Sequence, residues 1–336
     1  MKAVVFSRVG GWCIKEIEAA PLREGEVRLG VARCGVCMTD LHIYRGDFPA
    51  AFPVVPGHEF AGTVLELGPG VEGYAQGDRV VVDPNISCLE CTMCRSGRPN
   101  LCPQLRGYGT SLPGGFQEVV SVRAENIYRI GDLPFSRAVF AEPLACILHG
   151  LDEIGARPGE TALLVGAGPI GLMFLEVLKA VGIPEVTVVD MDVERLARAE
   201  RLGASSCVLG RCGGHDLESL SREYDVAIDA TGNPAVVEWL VESALPGRRV
   251  LVFGVHPQGA RVSVSPYHIY RHEIEIKGCF AACNTMHRAV RMLQQNTIAV
   301  DRLISHELAL DEFGSALSLV GKPKTMKVHV ITSDAE

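Results

Sequence analysis

The stretch from Thr161 to Ala204 limits the possible folds more than any other. It reads TALLVGAG, PIGLMFLEVLKAVG, EVTVVDMD and VERLARAERLGA, short apolar runs alternating with helical patterns. Parallel strands need crossovers long enough to hold a helix, and this alternation supplies them. It continues through SSCVLG, YDVAIDATG, AVVEWLVESALPG, RRVLVFG and EIEIKGCF, enough for a complete α/β, Rossmann doubly wound parallel sheet. Gly166-Ala167-Gly168-Pro169-Ile170-Gly171 joins a strand to a helix. Glycines there permit a tight turn and close backbone approach, and the helix N-terminus offers unpaired N–H groups to a pyrophosphate. The following strand ends at Asp190, 19 positions beyond Gly171. An acid at that point accepts hydrogen bonds from ribose hydroxyls and repels a 2′-phosphate, so NAD is expected rather than NADP. Arg195 is the residue that would instead help hold such a phosphate.

At 336 residues the chain is long enough for a second domain. Residues before about Ile130 are β-rich: KAVVF, EVRLGVARC, GTVLELG, DRVVVDP and FQEVVSV are short runs punctuated by Gly, Pro, Asp and Asn. They suit an irregular β-barrel-like domain. Near Ala138 the pattern turns helical, with entry through Glu142 and Pro143. The tail resumes helix and strand in TMHRAVRMLQQN, DEFGSALSLVG and KVHVITS. The expected division is 1–147 for a catalytic β domain, 148–280 for the dinucleotide-binding domain, and 281–336 for a return to the first. A formal net charge of -8 and the lack of a basic stripe argue against nucleic acid and membrane surfaces. No apolar run is long enough to span a bilayer, and MKAVVFSRVGG has no signal-peptide core, so a cytoplasmic location is expected.

Twelve cysteines in a large chain without a secretory signal point to metal rather than disulfides. Cys88-x2-Cys91-x2-Cys94-x7-Cys102 can close a tetrahedral zinc shell with no position left for substrate, which describes a structural site. Redox-active CxxC pairing is the competing reading, and a fourth cysteine in the series counts against it. Cys13, Cys34, Cys146, Cys207, Cys212, Cys279 and Cys283 are scattered and are expected to be small buried hydrophobes.

The segment Cys34–Glu59, which reads as strand and loop, gathers a different set. Cys37, His58 and Glu59 offer sulfur, nitrogen and oxygen donors, a mixture suited to a catalytic zinc. Thr39 and His42 lie close to Cys37 in sequence and are candidates for moving protons. Glu142 is a fourth candidate, placed where two domains would face one another; its ordinary reading is a first-turn acid complementing a helix dipole.

Cys37-Met38-Thr39-Asp40-x-His42, Gly57-His58-Glu59, the four-cysteine loop, GAGPIG and Glu142-Pro143-Leu144 occur in this order along essentially the whole chain. Together they resemble the zinc-dependent medium-chain dehydrogenase/reductase family, and within it the polyol (sorbitol, xylitol, arabitol) dehydrogenase branch, to which EIEIKGCFAACNT is also similar. The resemblance implies a GroES-like catalytic domain beside the Rossmann unit, two zinc ions per chain and NAD. It makes Cys37, His58 and Glu59 the catalytic zinc shell, with Glu142 a ligand or the partner of zinc-bound water. Thr39 and His42 become a proton relay, Asp190 and Arg195 ribose contacts, and Phe280 a residue on the nicotinamide side. The implied reaction is hydride transfer from a secondary alcohol of a polyol to NAD, giving a ketone. An amino-alcohol or L-threonine 3-dehydrogenase, a non-catalytic NAD-binding redox sensor and a lens-type structural homologue are the rivals. Met38 stands where such motifs often carry glycine, and Ala281 and Ala282 where sorbitol dehydrogenases carry a larger Arg-Tyr pair. By the same resemblance the chain is a homodimer or homotetramer, with RRVLVFG as an interface edge strand.

Overall fold

The computed structural model describes residues 1–211 and 223–333, which divide into two compact units. One comprises Met1–Ala145 with Ala281–Glu336, the other Cys146–Phe280, so the first division falls two residues before the expected 147.

The first unit is built on strand Glu26–Val36, in which residues 31–36 are all buried. Its first half pairs antiparallel with Val119–Arg123. Along its length it pairs with Glu59–Leu67, and at its end with Lys327–Ile331. In this register Gly35 lies between Glu59 on one side and His329 on the other. Arg79–Val82, Ile127–Arg129 and Ile304–Ala309 complete the sheet among the described residues. The hairpin Lys2–Arg8 and Gly11–Glu16 and the C-terminal helix Phe313–Leu319 close one side of the core. Phe313 is fully buried, with edge-on ring contacts to Phe6 at 5.9 Å, Trp12 at 5.3 Å and Phe116 at 4.9 Å. One aromatic side chain thus ties the tail of the chain to its first strands.

In the second unit, six strands among the described residues are all parallel, in the order Ser206–Leu209, Glu185–Asp190, Thr161–Val165, Val226–Asp229, Arg249–Val252 and Glu275–Gly278. The order reverses between Thr161–Val165 and Val226–Asp229, the switch point at which such sheets bind ligands. Helices Pro169–Ala180 and Pro234–Glu242 bury apolar faces in this unit. Here one expectation fails. Arg249–Val252 is paired on both sides, so RRVLVFG is not an edge; Glu275–Gly278 is. Its sequence EIKG alternates less apolar character than an interior strand and leaves Ile276 40% exposed.

The scattered cysteines also depart from expectation. Only Cys34 is fully buried; Cys13, Cys146, Cys207, Cys279 and Cys283 are half-buried, and Cys212 lies outside the described residues. Several make polar contacts, such as Cys283 Sγ to the Gly97 carbonyl at 3.4 Å, so they are not simply core filler.

Truncating Phe313 removes contacts with three rings at once. Phe313→Ala should lower the unfolding free energy of the first unit by about 3–5 kcal/mol, and Phe313→Leu by much less. Urea unfolding followed by tryptophan fluorescence checks this through Trp12; an unshifted midpoint contradicts it.

Candidate active site

Residues Met38–Arg45, expected to be loop, form a helix. Cys37 is its N-cap, and the Asp40 carboxylate accepts the Cys37 backbone N–H at 2.9 Å. That pairing, an acid three residues into the helix reaching back to its start, is the local signal that loop punctuation obscured. Gly46, at φ 83°, ends the helix. Thr39 and His42 are three residues apart and share a helix face. Both are half-buried, and the Thr39 hydroxyl lies 3.7 Å from Cys37 Sγ.

Asp40 is fully buried and does more than cap. Its Oδ1 accepts the Gly57 N–H at 3.2 Å and sits 3.6 Å from His58 Nδ1. Gly57 has φ 94°, and a Cβ there would press on Cys34 Sγ and the Phe116 ring, so only glycine lets the Pro-Gly-His turn pack this closely. His58 is thereby aimed with Nδ1 toward Asp40 and Nε2 away from it. Burial alone opposes a charge on His58, but Asp40 and Cys37 outweigh it and hold the imidazole pKa well above its ordinary value.

Among the described residues, the donor atoms of Cys37, His58 and Glu59 lie within 4.8 Å of one another. Glu59 is 1% exposed, and its Oε1 accepts no hydrogen bond. Its Oε2 is ion-paired with the Lys327 ammonium, which is itself buried. A side chain on Gly35 would collide with Glu59 Oε2 and touch Lys327 Cε, so the bare backbone between them makes the pair possible. Burial disfavours the charge on Lys327, yet Glu59, Cys37 and Glu142 together keep its pKa above the ordinary value. Glu142, on helix Ala141–Ile154, is buried and close enough to act on Lys327, but does not join the three-donor cluster. A half-buried thiol, a buried imidazole and a half-satisfied buried carboxylate on one point fit a divalent metal such as zinc.

Cys34 stays apart: burial, with Asp40 and Glu59 nearby, pushes its thiol pKa well up. Met38 is 41% exposed, and a Cβ on Gly321 would touch its methyl group. His329, on the same strand face as Lys327, is fully buried against Phe140, and neither ring nitrogen has a hydrogen-bond partner. Burial, Lys327 and Arg33 bring its pKa down to about 3, so it is neutral. Asp40, Lys327 and His329 were given no role from the sequence. For Lys327 and His329 no local pattern exists, because a strand near the C-terminus delivers them.

The second cysteine cluster is self-contained. Cys88 and Cys102 sulfurs are 3.5 Å apart, Cys91 and Cys94 3.5 Å, and Cys88 and Cys94 3.9 Å. Four sulfurs about 2.3 Å from one zinc would stand roughly 3.8 Å apart, whereas a disulfide needs about 2.05 Å. Backbone N–H groups of Cys88, Cys91, Cys94 and Gln104 point at the sulfurs, as thiolates require. The N–H groups of Glu90 and Cys91 bring the Cys88 pKa down to about 7.

In the second unit, Gly166 adopts φ 102° and Gly168 caps helix Pro169–Ala180, with Ile170 in its first turn. A Cβ on Gly171 would collide with the Gly166 carbonyl, while one at Gly168 would meet nothing, which leaves that backbone open to a ligand. Asp190 accepts the Ala167 N–H at 2.6 Å and the Asp192 N–H at 2.9 Å, so the acid also fixes the glycine turn. Arg195 is half-buried on helix Val193–Arg201, its Nε without a hydrogen-bond partner, and Phe280 is 50% exposed.

Comparison with known proteins agrees with both units. The family described as alcohol dehydrogenase GroES-like domain matches residues 23–132, and the zinc-binding dehydrogenase family matches 169–295. D-altritol 5-dehydrogenase of Agrobacterium fabrum is 39% identical over 98% of this chain and 99% of that one. D-arabinitol dehydrogenase 1 of Uromyces fabae is 34% identical over 98% and 97%. The crystal structure of a Sinorhizobium meliloti protein bound to NADP superimposes with a TM-score of 0.94, at 34% identity and 98% coverage of both chains. With a three-donor metal cluster in one unit and a glycine-rich dinucleotide turn in the other, the chain belongs to the zinc-dependent medium-chain alcohol dehydrogenase family.

Proposed function

We propose that the chain oxidises a secondary alcohol of a polyol or sugar alcohol to the ketone, with NAD as acceptor. The observation that carries this reading is the Cys37–His58–Glu59 donor set, a half-buried thiol with a buried imidazole and carboxylate, with Lys327 and Glu142 nearby. Zinc bound there supplies the Lewis acidity that lowers the pKa of a hydroxyl, and NAD supplies the hydride acceptor. The chain's own residues do the rest. Asp40 orients His58, and Lys327 pairs with the buried Glu59 carboxylate. Thr39 Oγ1 takes the substrate hydroxyl proton and His42 hands it on to solvent. Glu142 serves as a further ligand or as the partner of a bound water. The Gly166–Gly171 turn holds the pyrophosphate, with Asp190 and Arg195 toward the adenosine ribose and Phe280 toward the nicotinamide.

Polyols are favoured because the two relatives described are named for D-altritol and D-arabinitol. NAD is favoured over the NADP of the Sinorhizobium meliloti structure because Asp190 would face a 2′-phosphate with like charge. The location proposed is the cytoplasm; among the described residues no helix is long and apolar enough to cross a membrane. A homodimer or homotetramer is proposed, and the edge of Glu275–Gly278, unpaired among the described residues, supports an association surface.

An NADH-formation screen across polyols, inositols, amino alcohols and threonine, with a chelated control, tests the reading. Five- and six-carbon polyols should turn over and threonine should not; a preference for threonine, or turnover indifferent to chelation, overturns it. Cys37→Ala should abolish turnover while leaving the four-cysteine zinc in place, measured by metal analysis beside kinetics. Asp190→Gly should shift the kcat/KM ratio toward NADP at least about tenfold, ~1.4 kcal/mol. Lys327→Met leaves a buried carboxylate uncompensated and should cost the metal-free protein about 3–5 kcal/mol in urea unfolding. Saturating zinc should restore part of that loss; an unchanged midpoint without zinc contradicts the assignment.

A further inference from the structure

Cys279 has no part in the proposed reaction, yet its surroundings are those of an activated thiol. It follows strand Glu275–Gly278 and is half-buried between the exposed residues Gly278 and Phe280. Its Sγ lies 3.5 Å from Nδ1 of His149 and 3.7 Å from the Cys146 carbonyl. His149 is only 6% exposed, and its other ring nitrogen, Nε2, stands 3.6 Å from Glu153 Oε1, one helix turn further along Ala141–Ile154. In the tautomer whose hydrogen sits on Nε2, facing the carboxylate, Nδ1 is the acceptor toward the thiol. Thiol and carboxylate contact opposite edges of one ring. That rules out a shared metal ion and matches a nucleophile–base–orienting-group series.

We propose that Cys279 is a reactive thiol, deprotonated by His149 with Glu153 orienting the imidazole, and that it takes small soft electrophiles, in particular disulfides of low-molecular-weight thiols. In that exchange Cys279 Sγ bonds to one sulfur of the disulfide and the original S–S bond breaks. The departing thiolate receives the proton that His149 Nδ1 took from Cys279, so the disulfide is the oxidant and no other is needed. With iodoacetamide the same sulfur bonds to carbon, iodide leaves, and the proton stays on Nδ1.

The test uses the full-length zinc-loaded protein, in which bound metal shields the ligand cysteines. Limiting iodoacetamide at pH 7, with labelled peptides quantified by mass spectrometry, should modify Cys279 at least about threefold faster than Cys13 or Cys207. Cys207 is a suitable reference because burial pushes its thiol up. Oxidised glutathione should form its mixed disulfide at Cys279, and Cys279→Ser should remove it. His149→Gln and Glu153→Gln should each slow labelling of Cys279 and leave Cys13 unchanged. Glu153 is half-buried rather than in the core, so its variant keeps the test sound if His149→Gln folds poorly. Equal rates at the three cysteines, no effect of either variant, or label on Cys146 in place of Cys279 would overturn the proposal.

Discussion

Everything in the first unit converges on one buried carboxylate. Glu59 is taken out of water by its strand, and a carboxylate buried that way needs polar or positively charged partners. Lys327 is one, and a divalent metal held with Cys37 and His58 would be another. The geometry has a simple origin in the sheet. Strand Glu26–Val36 carries Glu59's strand on one side and Lys327's on the other, and glycine at position 35 leaves the space across which the two side chains meet. The sheet register therefore sets the electrostatics of the site, and a slip by one residue would turn both charges to the opposite face.

A second constraint explains why His58 is held so firmly. Asp40 is fully buried, but it accepts the N–H of a helix start and of a turn and places its charge beside an imidazole. A buried acid with fewer partners would be costly, and one with these three becomes a rigid mount. The glycine-rich turn of the second unit follows the same logic, since Asp190 accepts the N–H groups of Ala167 and Asp192 and so fixes the backbone of that turn. In both units an acid organises the backbone around it.

The parts of this arrangement that were legible in the sequence are those written locally. GAGPIG between strand and helix, four cysteines within fifteen residues, and Gly57-His58-Glu59 each carry their geometry in their own spacing. The helix Met38–Arg45 was obscured because it is short and has little apolar periodicity, although Asp40 marked its start. Lys327 and His329 were invisible for another reason: they reach the site through strand pairing between distant parts of the chain, and no spacing rule spans that distance. The misplaced sheet edge has the same cause, because strand order depends on crossovers that the residues of RRVLVFG do not encode.

Zinc titration into metal-depleted protein, with NADH formation on a hexitol followed at each addition, tests the central claim most directly. The four-cysteine cluster should fill without producing turnover, and activity should then rise in proportion to occupancy of the Cys37–His58–Glu59 site, reaching its limit at two zinc ions per chain. Full turnover after the first equivalent, with zinc located on the four cysteines alone, would contradict the account.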